Sequence, residues 1–331
     1  MDGIINVLKP PGMTSFDVVA VLRGLTGVRR VGHAGTLDPM AAGVLPVCTG
    51  RATRAIEFMM DKDKLYRAEL TLGITTDTQD TTGTMITRNE VRASDSEIAA
   101  AVSSFEGKYL QVPPMHSAIR IDGKRLYELA REGIEIERQQ REVEIFSAKL
   151  LSIDRSEGVR ALIDVHCSKG TYIRTLCADI GDRLGCGGCM SFLLRMRAGP
   201  FDISEAYTLE ELSELKEKGM LKRALTGVDR IFSSLPACRL DEDSEKKFGN
   251  GMQIPLDEAF FIESSDLQRS RREKDSEILS DADDYSTLVR VYGSGGEFSA
   301  LGMIIENGKW KYLKVRKFFS CYYSMNGVLQ K

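Results

Sequence analysis

The sequence predicts an α+β fold: a mixed, mostly antiparallel central sheet flanked by helices, followed by a small β-rich C-terminal domain. Residues 65–72 alternate between apolar and polar side chains, which is typical of a strand buried on one face. Two longer strand-like segments, 143–153 and 159–167, are close enough in sequence to form an antiparallel pair. Helical and strand segments are mixed without regular βαβ alternation, which favours α+β over a doubly wound parallel sheet.

Helices are predicted where a capping residue precedes a periodic apolar segment. Thr14 or Ser15 caps a helix that runs to about Leu25. The apolar side of this helix is predicted to carry Phe16, Val18, Val19 and Leu22. Ser94 and Glu97 form a capping-box pattern that begins a second helix. Further helices are predicted at 52–60, 124–131, 171–184 and 209–218.

A domain boundary is predicted near residue 233, so that 1–232 form one domain and 233–331 a second. Short apolar segments separated by glycines in the second domain predict strands. Residues 263–284 are rich in charge and serine and poor in apolar residues, so they are predicted to form a mobile insertion.

Composition excludes several classes of protein. No run of about 18 apolar residues is present, and the first twelve residues lack the basic and apolar regions of a signal peptide. Seven cysteines without framework spacing predict reduced thiols and a cytoplasmic protein. Cys186 and Cys189 have CxxC spacing, but without a second pair they are weak evidence for a metal, and none is predicted.

The net charge of −3 does not indicate a nucleic-acid-binding protein, but the basic residues are clustered. Residues 308–317 read GKWKYLKVRK, in which lysines and aromatic residues alternate. This segment is either an edge strand protected by lysines or a face that contacts phosphates.

The most unusual segment is GHAGTLDPMAAGVLP, residues 32–46. It holds one carboxylate, Asp38, among small residues, glycines and prolines. Pro39 disfavours helical backbone at Asp38, so the carboxylate is predicted to lie on a turn. A tight loop with a capping aspartate explains this pattern as well as a functional carboxylate does.

Three other segments could converge on Asp38. Arg174 lies in the first turn of the helix that follows SKG at 168–170, and an arginine within about 4–6 Å would orient a carboxylate and keep it ionised. Tyr66 could present an aromatic face or a hydroxyl, and Leu193 could form an apolar wall. Such a set suits covalent or electrostatic chemistry on a planar ring without a metal.

Each of these residues also has an ordinary explanation. Tyr66 and Leu193 could be core residues, and Arg174 could pair with Asp179 or Glu205. The sequence has no P-loop, dinucleotide glycine fingerprint, HExxH helix or GxSxG elbow, which removes the commonest alternative enzyme classes.

In combination, these segments make the chain resemble the bacterial tRNA pseudouridine synthase B family over essentially its whole length. The shared segments are Lys9-Pro10 with Gly12, Thr14 and Ser15; GHAGTLDPMAAGVLP; Lys64-Leu-Tyr66; TDTQDTTG (76–83); PPMHSA (113–118); GKRLYELAREG (123–133); SKGTYIRTL (168–176); and FLLRMRAGPF (192–201). GTLDP followed downstream by YIR is highly specific. The C-terminal strands are similar to a PUA-type RNA-binding domain, from which the charged insertion departs.

The resemblance implies a pseudouridine synthase fold and the isomerisation of the tRNA T-loop uridine (position 55 in tRNA numbering) to pseudouridine. Asp38 is implied as the nucleophile that detaches uracil from its ribose by attack at C1′ or C6, with Arg174 paired to it. Tyr66 would stack on the flipped base and could move a proton. Tyr172 and Leu193 would line the pocket.

Further assignments rest on the same resemblance. His33 would help to hold the rearranged RNA loop, unless it is simply a satisfied loop histidine. The residues implied to contact phosphates are Lys9, Arg30, Lys124 and Arg125; Lys64 and Asp80 are also assigned to substrate binding. No cofactor, metal or obligate protein partner is implied, and a monomer that binds the tRNA T-stem loop is expected. The alternatives are a guide-RNA-dependent synthase in a ribonucleoprotein and a tRNA-folding chaperone without turnover.

Overall fold

The computed structural model describes residues 1–117, 119–121, 123–262 and 287–319. The chain divides into two compact units. The larger unit consists of Ile5–Val47 and Ile56–Ala224, and the smaller unit of Met1–Ile4, Cys48–Ala55 and Leu225–Lys331. The sequence pattern did not predict that two N-terminal segments join the smaller unit. The domain division at residue 233 remains a prediction, and the predicted mobile insertion at 263–284 lies outside the described residues.

A mixed sheet forms the centre of the first 224 residues. Its strands are β1 (Gly3–Lys9), β2 (Val31–His33), β3 (Ala42–Thr49), β4 (Lys64–Leu72), β7 (Gly107–Gln111), β10 (Arg141–Asp154), β11 (Val159–Cys167), β12 (Gly188–Ala198) and β13 (Phe201–Asp202). Two separate hairpins comprise β5 (Ile74–Thr76) with β6 (Met85–Arg88), and β8 (Arg120–Ile121) with β9 (Lys124–Arg125). The helices are α1 (Ser15–Thr26), α2 (Ile56–Met60), α3 (Asp95–Ser103), α4 (Leu126–Arg131), α5 (Ile173–Arg183) and α6 (Leu209–Glu217).

The strand order in this sheet is β1-β3-β12-β4-β11-β10-β7. The pair of β12 with β3 is parallel, whereas β4, β7, β10, β11 and β12 pair with their other neighbours in antiparallel fashion. Alternate residues of β4 and β11 are buried, as period-2 patterning requires. On the other face of these strands Arg67 lies opposite Asp164 and binds it through two hydrogen bonds of 2.7 and 2.8 Å. The predicted α+β class with a mixed, mostly antiparallel sheet is confirmed.

Capping boxes fix the starts of two helices. Thr14 caps α1 together with Asp17, and Ser94 caps α3 together with Glu97; in each box the hydroxyl accepts the backbone N–H three residues on. One prediction for α1 is wrong. Phe16 is not on the buried side of the helix: its side chain is 67% exposed, and α1 buries Ser15, Val18, Val19 and Leu22 instead.

A second prediction is wrong at residues 124–125. Lys124 and Arg125 belong to the two-stranded hairpin, where they pair with Ile121 and Arg120, and the helix begins only at Leu126. The backbone N–H of Arg125 is capped by the Glu128 carboxylate at 2.9 Å, which explains why the helix begins there.

The smaller unit contains a six-stranded sheet. The elements of this unit are β14 (Leu225–Thr226), which is not a strand of that sheet, β15 (Ala237–Arg239), α7 (Glu242–Gly249), β16 (Ile254–Pro255), β17 (Phe260–Ile262), β18 (Leu288–Tyr292), β19 (Phe298–Asn307) and β20 (Trp310–Phe318). The sheet order is β16-β20-β19-β18-β15-β17, and Phe248 of α7 is buried in its core. This β-rich architecture is consistent with the predicted PUA-like domain. Most of the basic segment 308–317 lies on β20, whose edge pairs with β16 through Leu313 and Tyr312.

Two observations bear on thiols and membranes. The six cysteines of the described ranges are all buried and none forms a disulfide, whereas Cys321 lies outside those ranges. Among the described residues, no helix has both the length and the apolar character required to cross a bilayer.

Candidate active site

Asp38 lies on a turn whose backbone is fixed on both sides. The carbonyl of Asp38 accepts the N–H of Ala41 at 3.1 Å, which gives the predicted turn. The hydroxyl of Ser15, at the start of α1, accepts the N–H of Leu37 at 2.9 Å and donates to the carbonyl of Leu37 at 3.2 Å. The N–H of Gly12 donates to the carbonyl of Pro39 at 2.8 Å. Two segments near the N-terminus therefore hold the residues that flank the carboxylate.

Lys9 supports the same turn from within the protein. Its side chain is fully buried, and its ammonium donates to the carbonyls of Pro10 (2.9 Å), Met13 (2.5 Å) and Pro39 (3.3 Å). Burial lowers the pKa of Lys9 to about 8. The predicted contact of Lys9 with a phosphate is therefore wrong, because all its donors point at backbone carbonyls inside the protein.

Arg174 binds the Asp38 carboxylate through two nitrogens. Its Nε lies 3.0 Å from Oδ2 and its Nη2 lies 3.4 Å from Oδ1. Arg174 is itself 5% exposed, and its remaining hydrogen bonds go to the carbonyls of Thr78 (3.3 Å) and His116 (2.8 Å). The guanidinium of Arg174 therefore pairs with Asp38, and not with Asp179 or Glu205, the two ordinary alternatives.

Opposing effects act on the pKa of the Asp38 carboxylate. Burial raises the pKa of Asp38, and the Arg174 guanidinium acts in the opposite direction; the Asp80 carboxylate adds to the increase. The Asp38 side chain keeps 36% of its surface exposed, so a ligand can reach it. The result is a partly desolvated carboxylate with one strongly bound cation beside it.

Asp80 belongs to the interior of this site. It is 4% exposed and accepts hydrogen bonds from the hydroxyls of Thr78 (2.8 Å) and Thr82 (2.5 Å) and from the Thr82 N–H (2.9 Å). It also lies 3.7 Å from Arg174 Nη1. The oxygens of Asp80 hold the 76–83 loop and Arg174 in this structure, and its assignment to substrate binding stays a prediction.

Tyr66 and Leu193 lie on neighbouring strands of the sheet. In the β4–β12 register, Tyr66 faces Arg195 and Leu193 faces Ala68. Tyr66 and Leu193 are 9% and 6% exposed, and both belong to the apolar cluster that contains Leu37, the neighbour of Asp38. Burial raises the pKa of Tyr66, while the positive charge of Arg195 acts against this increase.

Two family models match the chain. The model "TruB family pseudouridylate synthase (N terminal domain)" matches residues 23–173, and "tRNA pseudouridylate synthase B C-terminal domain" matches residues 174–233. The chain is 40% identical over 315 residues to a tRNA pseudouridine synthase B of Clostridium acetobutylicum, covering 95% of this chain and 99% of that relative. The chain belongs to the TruB family of pseudouridylate synthases. A second member, from Alkaliphilus oremlandii, is 56% identical over 216 residues, 65% of this chain and 71% of that relative.

Solved structures support the same family and fold. A chain in a Cbf5-Nop10-Gar1 complex is 27% identical with a TM-score of 0.70, covering 96% of this chain and 85% of that one. A chain in an H/ACA RNP bound to a substrate RNA containing 2′-deoxyuridine is 25% identical with a TM-score of 0.69, covering 96% and 85%. The predicted pseudouridine synthase family and fold are confirmed.

Sequence reasoning missed Arg195 as a site residue of this TruB-family chain. It is 1% exposed, and it donates to the carbonyls of Val44 (2.7 Å) and Gly35 (3.0 Å), on either side of the Asp38 turn. Gly43 makes room for it: at φ +116° a Cβ would lie 2.3 Å from the Arg195 carbonyl oxygen. A charged residue within the apolar segment 192–195 was the available signal.

Gln111 was also missed. It is 1% exposed, accepts the backbone N–H of Tyr172 at 2.8 Å and donates to the Tyr172 carbonyl at 3.0 Å, so it fixes the start of α5 just before Arg174. Burial raises the pKa of the Tyr172 phenol. Tyr172 is half-buried two residues before Arg174, and its role in lining the pocket stays a prediction.

The remaining predicted residues differ in accessibility. Lys64 is 8% exposed and donates to the carbonyls of Met60 (2.8 Å) and Lys62, and its contact with substrate stays a prediction. Arg30 is exposed. Lys124 pairs with Glu132 at 3.5 Å, and Arg125 donates to the Tyr127 hydroxyl at 2.7 Å; both belong to the hairpin and not to the helix.

His33 sits at the end of β2 in edge-to-face contact with Phe16. Its Nδ1 is buried and has no hydrogen-bond partner within the described residues, so it is not a fully satisfied loop histidine. Burial lowers the pKa of His33, and the charge of Arg195 acts in the same direction.

No group of three or more His, Cys, Asp or Glu in the described part of the chain is arranged to hold a metal ion. Cys186 and Cys189 are both buried, the latter within β12.

Proposed function

We propose that the protein is a tRNA pseudouridine synthase that converts the T-loop uridine at position 55 to pseudouridine. The observation that carries this proposal is the bidentate contact of Arg174 with Asp38, at 3.0 and 3.4 Å, in which the Asp38 side chain stays 36% exposed. The family relatives named tRNA pseudouridine synthase B support tRNA as the substrate. The protein acts as a cytoplasmic monomer and needs no partner protein.

The reaction is an isomerisation, so the product nucleotide has the same composition as the substrate, although the hydrogen on C5 leaves to solvent. Asp38 attacks either C1′ of the ribose or C6 of the base, and the N1–C1′ bond breaks. The detached uracil turns so that C5 faces C1′, and the C5–C1′ bond forms as the Asp38 carboxylate leaves. The proton on C5 is lost and N1 gains one, which restores the neutral base.

Arg174 and partial burial give Asp38 the properties that this attack requires. Removal of water from a carboxylate makes it a better nucleophile, while the guanidinium opposes the increase in the pKa of Asp38 and fixes the orientation of its carboxylate. The target base must leave its stack to reach the carboxylate, at a cost of a few kcal/mol. Tyr66 and Leu193 are nearly buried, but they belong to the same apolar cluster as Leu37, and in this proposal they border the flipped base.

Tyr66 is neutral during the reaction, because burial raises the pKa of its hydroxyl. Its first role is therefore aromatic stacking against the base. Any proton transfer through its hydroxyl is a relay, in which the oxygen accepts the C5 proton while the phenol gives up its own.

A guide-RNA-dependent synthase is the second candidate, because the similar solved chains come from a Cbf5-Nop10-Gar1 complex and an H/ACA RNP. Their identity of 25–27% is below the 40% shared with the Clostridium acetobutylicum relative over nearly the whole chain, which favours the stand-alone tRNA enzyme.

The test uses unmodified tRNA transcript labelled with tritium at uracil C5 and the purified protein alone. We expect tritium release that is lost in Asp38→Asn and in a transcript with cytidine at position 55. Asp38→Asn should bind tRNA within a few fold of the unaltered protein. The matched control is Asp61→Asn, which removes a surface carboxylate that pairs with Lys169 and should leave release unchanged.

Two results would contradict the proposal. Equal turnover by Asp38→Asn would remove Asp38 as the nucleophile. Tight tRNA binding without any tritium release would favour the chaperone or the partner-dependent synthase.

A further inference from the structure

Phe16 is placed where an aromatic side chain is not expected. It lies at the second position of α1, whose other large apolar residues near the start, Val18, Val19 and Leu22, are buried, yet 67% of its surface is exposed. A ring of this size is normally stabilised by removal from water. Singly exposed apolar residues are common, but an aromatic ring near the Asp38 turn can also serve as a contact for a planar ligand.

Phe16 lies close to Asp38 because one hydrogen bond joins the residues next to each of them in the chain. Ser15, its chain neighbour, accepts the N–H of Leu37 at 2.9 Å, and Leu37 precedes Asp38. The shortest path along the chain runs from the Cα of Phe16 through Ser15, across the hydrogen bond to Leu37, and on to the Cα of Asp38. The lengths along this path add up to about 14 Å, which is the largest distance that can separate the two Cα atoms. A nucleotide close in sequence to one bound at Asp38 can reach the Phe16 ring over that distance.

The surroundings of the ring suit a planar, neutral ligand. Phe16 meets His33 edge to face, with centroids 5.2 Å apart and planes at 84°, and such a contact covers at most one face of the Phe16 ring. His33 has a lowered pKa through burial, so it adds no charge at neutral pH. The rest of the ring is accessible, since 67% of the surface of Phe16 is exposed.

We propose that Phe16 is a stacking residue for the substrate: its exposed ring takes an unpaired T-loop base that neighbours the target uridine. The inference rests on the proposed function. Unpaired RNA bases stack on phenylalanine rings, and because every base has a π-face this contact depends little on base identity. Phe16 therefore anchors the opened loop while the target nucleotide reaches Asp38.

The protein side of the test compares three substitutions. Loss of a base–aromatic stack weakens binding by about 5-fold to 150-fold. We expect Phe16→Ala and Phe16→Leu to raise KM for the tRNA transcript at least fivefold with kcat within twofold, and Phe16→Tyr to stay within twofold in both. The leucine keeps an apolar side chain against His33 but removes the planar ring, so a merely structural role would leave it near normal.

A matched control exists in the same unit. Phe146 also contacts a histidine, His166, with ring centroids 4.8 Å apart, and its side chain is 38% exposed. We expect Phe146→Leu to leave KM within twofold. A fivefold increase in KM for this variant would show that any exposed ring has the effect, and would overturn the proposal.

The RNA side of the test identifies the stacked base. Transcripts carrying a single abasic nucleotide at each unpaired T-loop position other than the target are bound to the unaltered protein and to Phe16→Ala. We expect one position where the abasic change weakens binding to the unaltered protein at least fivefold, but weakens binding to Phe16→Ala less than twofold. Additive effects at every position, or an unchanged KM in Phe16→Ala, would overturn the proposal. Failure of the proposed function is separate, because it would abolish tritium release by the unaltered protein.

Discussion

Replacement of Arg174 by methionine is the most informative perturbation of this site. The substitution keeps a long apolar side chain but removes the guanidinium, which is 5% exposed and binds the Asp38 carboxylate at 3.0 Å. The Asp80 carboxylate, 3.7 Å from the same guanidinium, also loses its cation. Two carboxylates and the carbonyls of Thr78 and His116 are then left without their shared donor.

Removal of one member of a buried ion pair costs about 3–5 kcal/mol of folding free energy, because the remaining charge is uncompensated. For a unit of this size, 1 kcal/mol corresponds to about 2–4 °C in Tm, so we expect Arg174→Met to lower Tm by about 6–20 °C. Arg174→Lys keeps the charge but not the paired donors, and should cost less. Asp80→Asn in the Arg174→Met background should recover part of the loss.

The same change has a defined effect on the pH dependence of catalysis. Arg174 lowers the pKa of Asp38, against the increase caused by burial. Without the guanidinium the pKa rises further, so Asp38 is protonated at higher pH. Since the attack requires the ionised carboxylate, the acid limb of the kcat/KM profile should move to higher pH in Arg174→Met.

The assays are thermal denaturation and tritium release measured from about pH 4 to pH 8. Asp61→Asn serves again as the surface control. A Tm within 2 °C of the unaltered protein, an acid limb that does not move, and strictly additive effects of Arg174→Met and Asp80→Asn would together refute this account of the ion pair.

Three further substitutions test the support of the Asp38 turn, and a fourth tests the predicted phosphate contact of Arg30. Ser15→Ala leaves the buried Leu37 N–H without an acceptor and should lower the free energy of unfolding by about 1–3 kcal/mol. An unchanged free energy of unfolding would show that the hydrogen bond between Ser15 and Leu37 does not stabilise the turn. Gly43→Ala should lower Tm sharply or prevent folding, because its Cβ would lie 2.3 Å from the Arg195 carbonyl oxygen; a normal Tm would contradict that close approach. Lys9→Met should lower Tm without changing the slope of log KM against log salt, whereas Arg30→Ser should reduce the slope by about 0.7–0.9 if Arg30 binds a phosphate.

The regular elements could be predicted because their signals are local. Burial on one face dictates the alternation of β4 and β11, and the boxes at Thr14 and Ser94 each lie within four residues. Phe16 shows the limit of such reasoning. The helical period places it beside the apolar face, but whether a residue at the margin is covered depends on which neighbouring segment packs there.

Residues of the site were harder to assign when their partners are distant in sequence. The residues alone left Arg174 with several possible carboxylates, and only the resemblance selected Asp38, which is 136 positions away. The burial of Lys9 depends on carbonyls of residues 10, 13 and 39, and no side-chain pattern reports an acceptor on the backbone. A lysine in a predicted RNA-binding enzyme was therefore assigned to a phosphate.

Arg195 illustrates a different obstacle. Strand β12 contains register irregularities relative to β4 between Met190 and Phe192 and between Arg195 and Arg197. Each irregularity shifts the alternation of inward and outward side chains by one position. The face on which Arg195 lies could not be deduced by counting along the strand, although its pairing opposite Tyr66 determines its role.

The buried thiols can report which part of the protein unfolds first. Burial raises the pKa of Cys48, Cys167 and Cys238 to about 12, so at neutral pH these residues hold almost no reactive thiolate and resist both alkylating reagents and peroxide. Cys238 belongs to the smaller unit and Cys167 to the larger one. The order in which a pulse of alkylating reagent marks these two residues during gentle heating therefore records which unit opens first, without any engineered label.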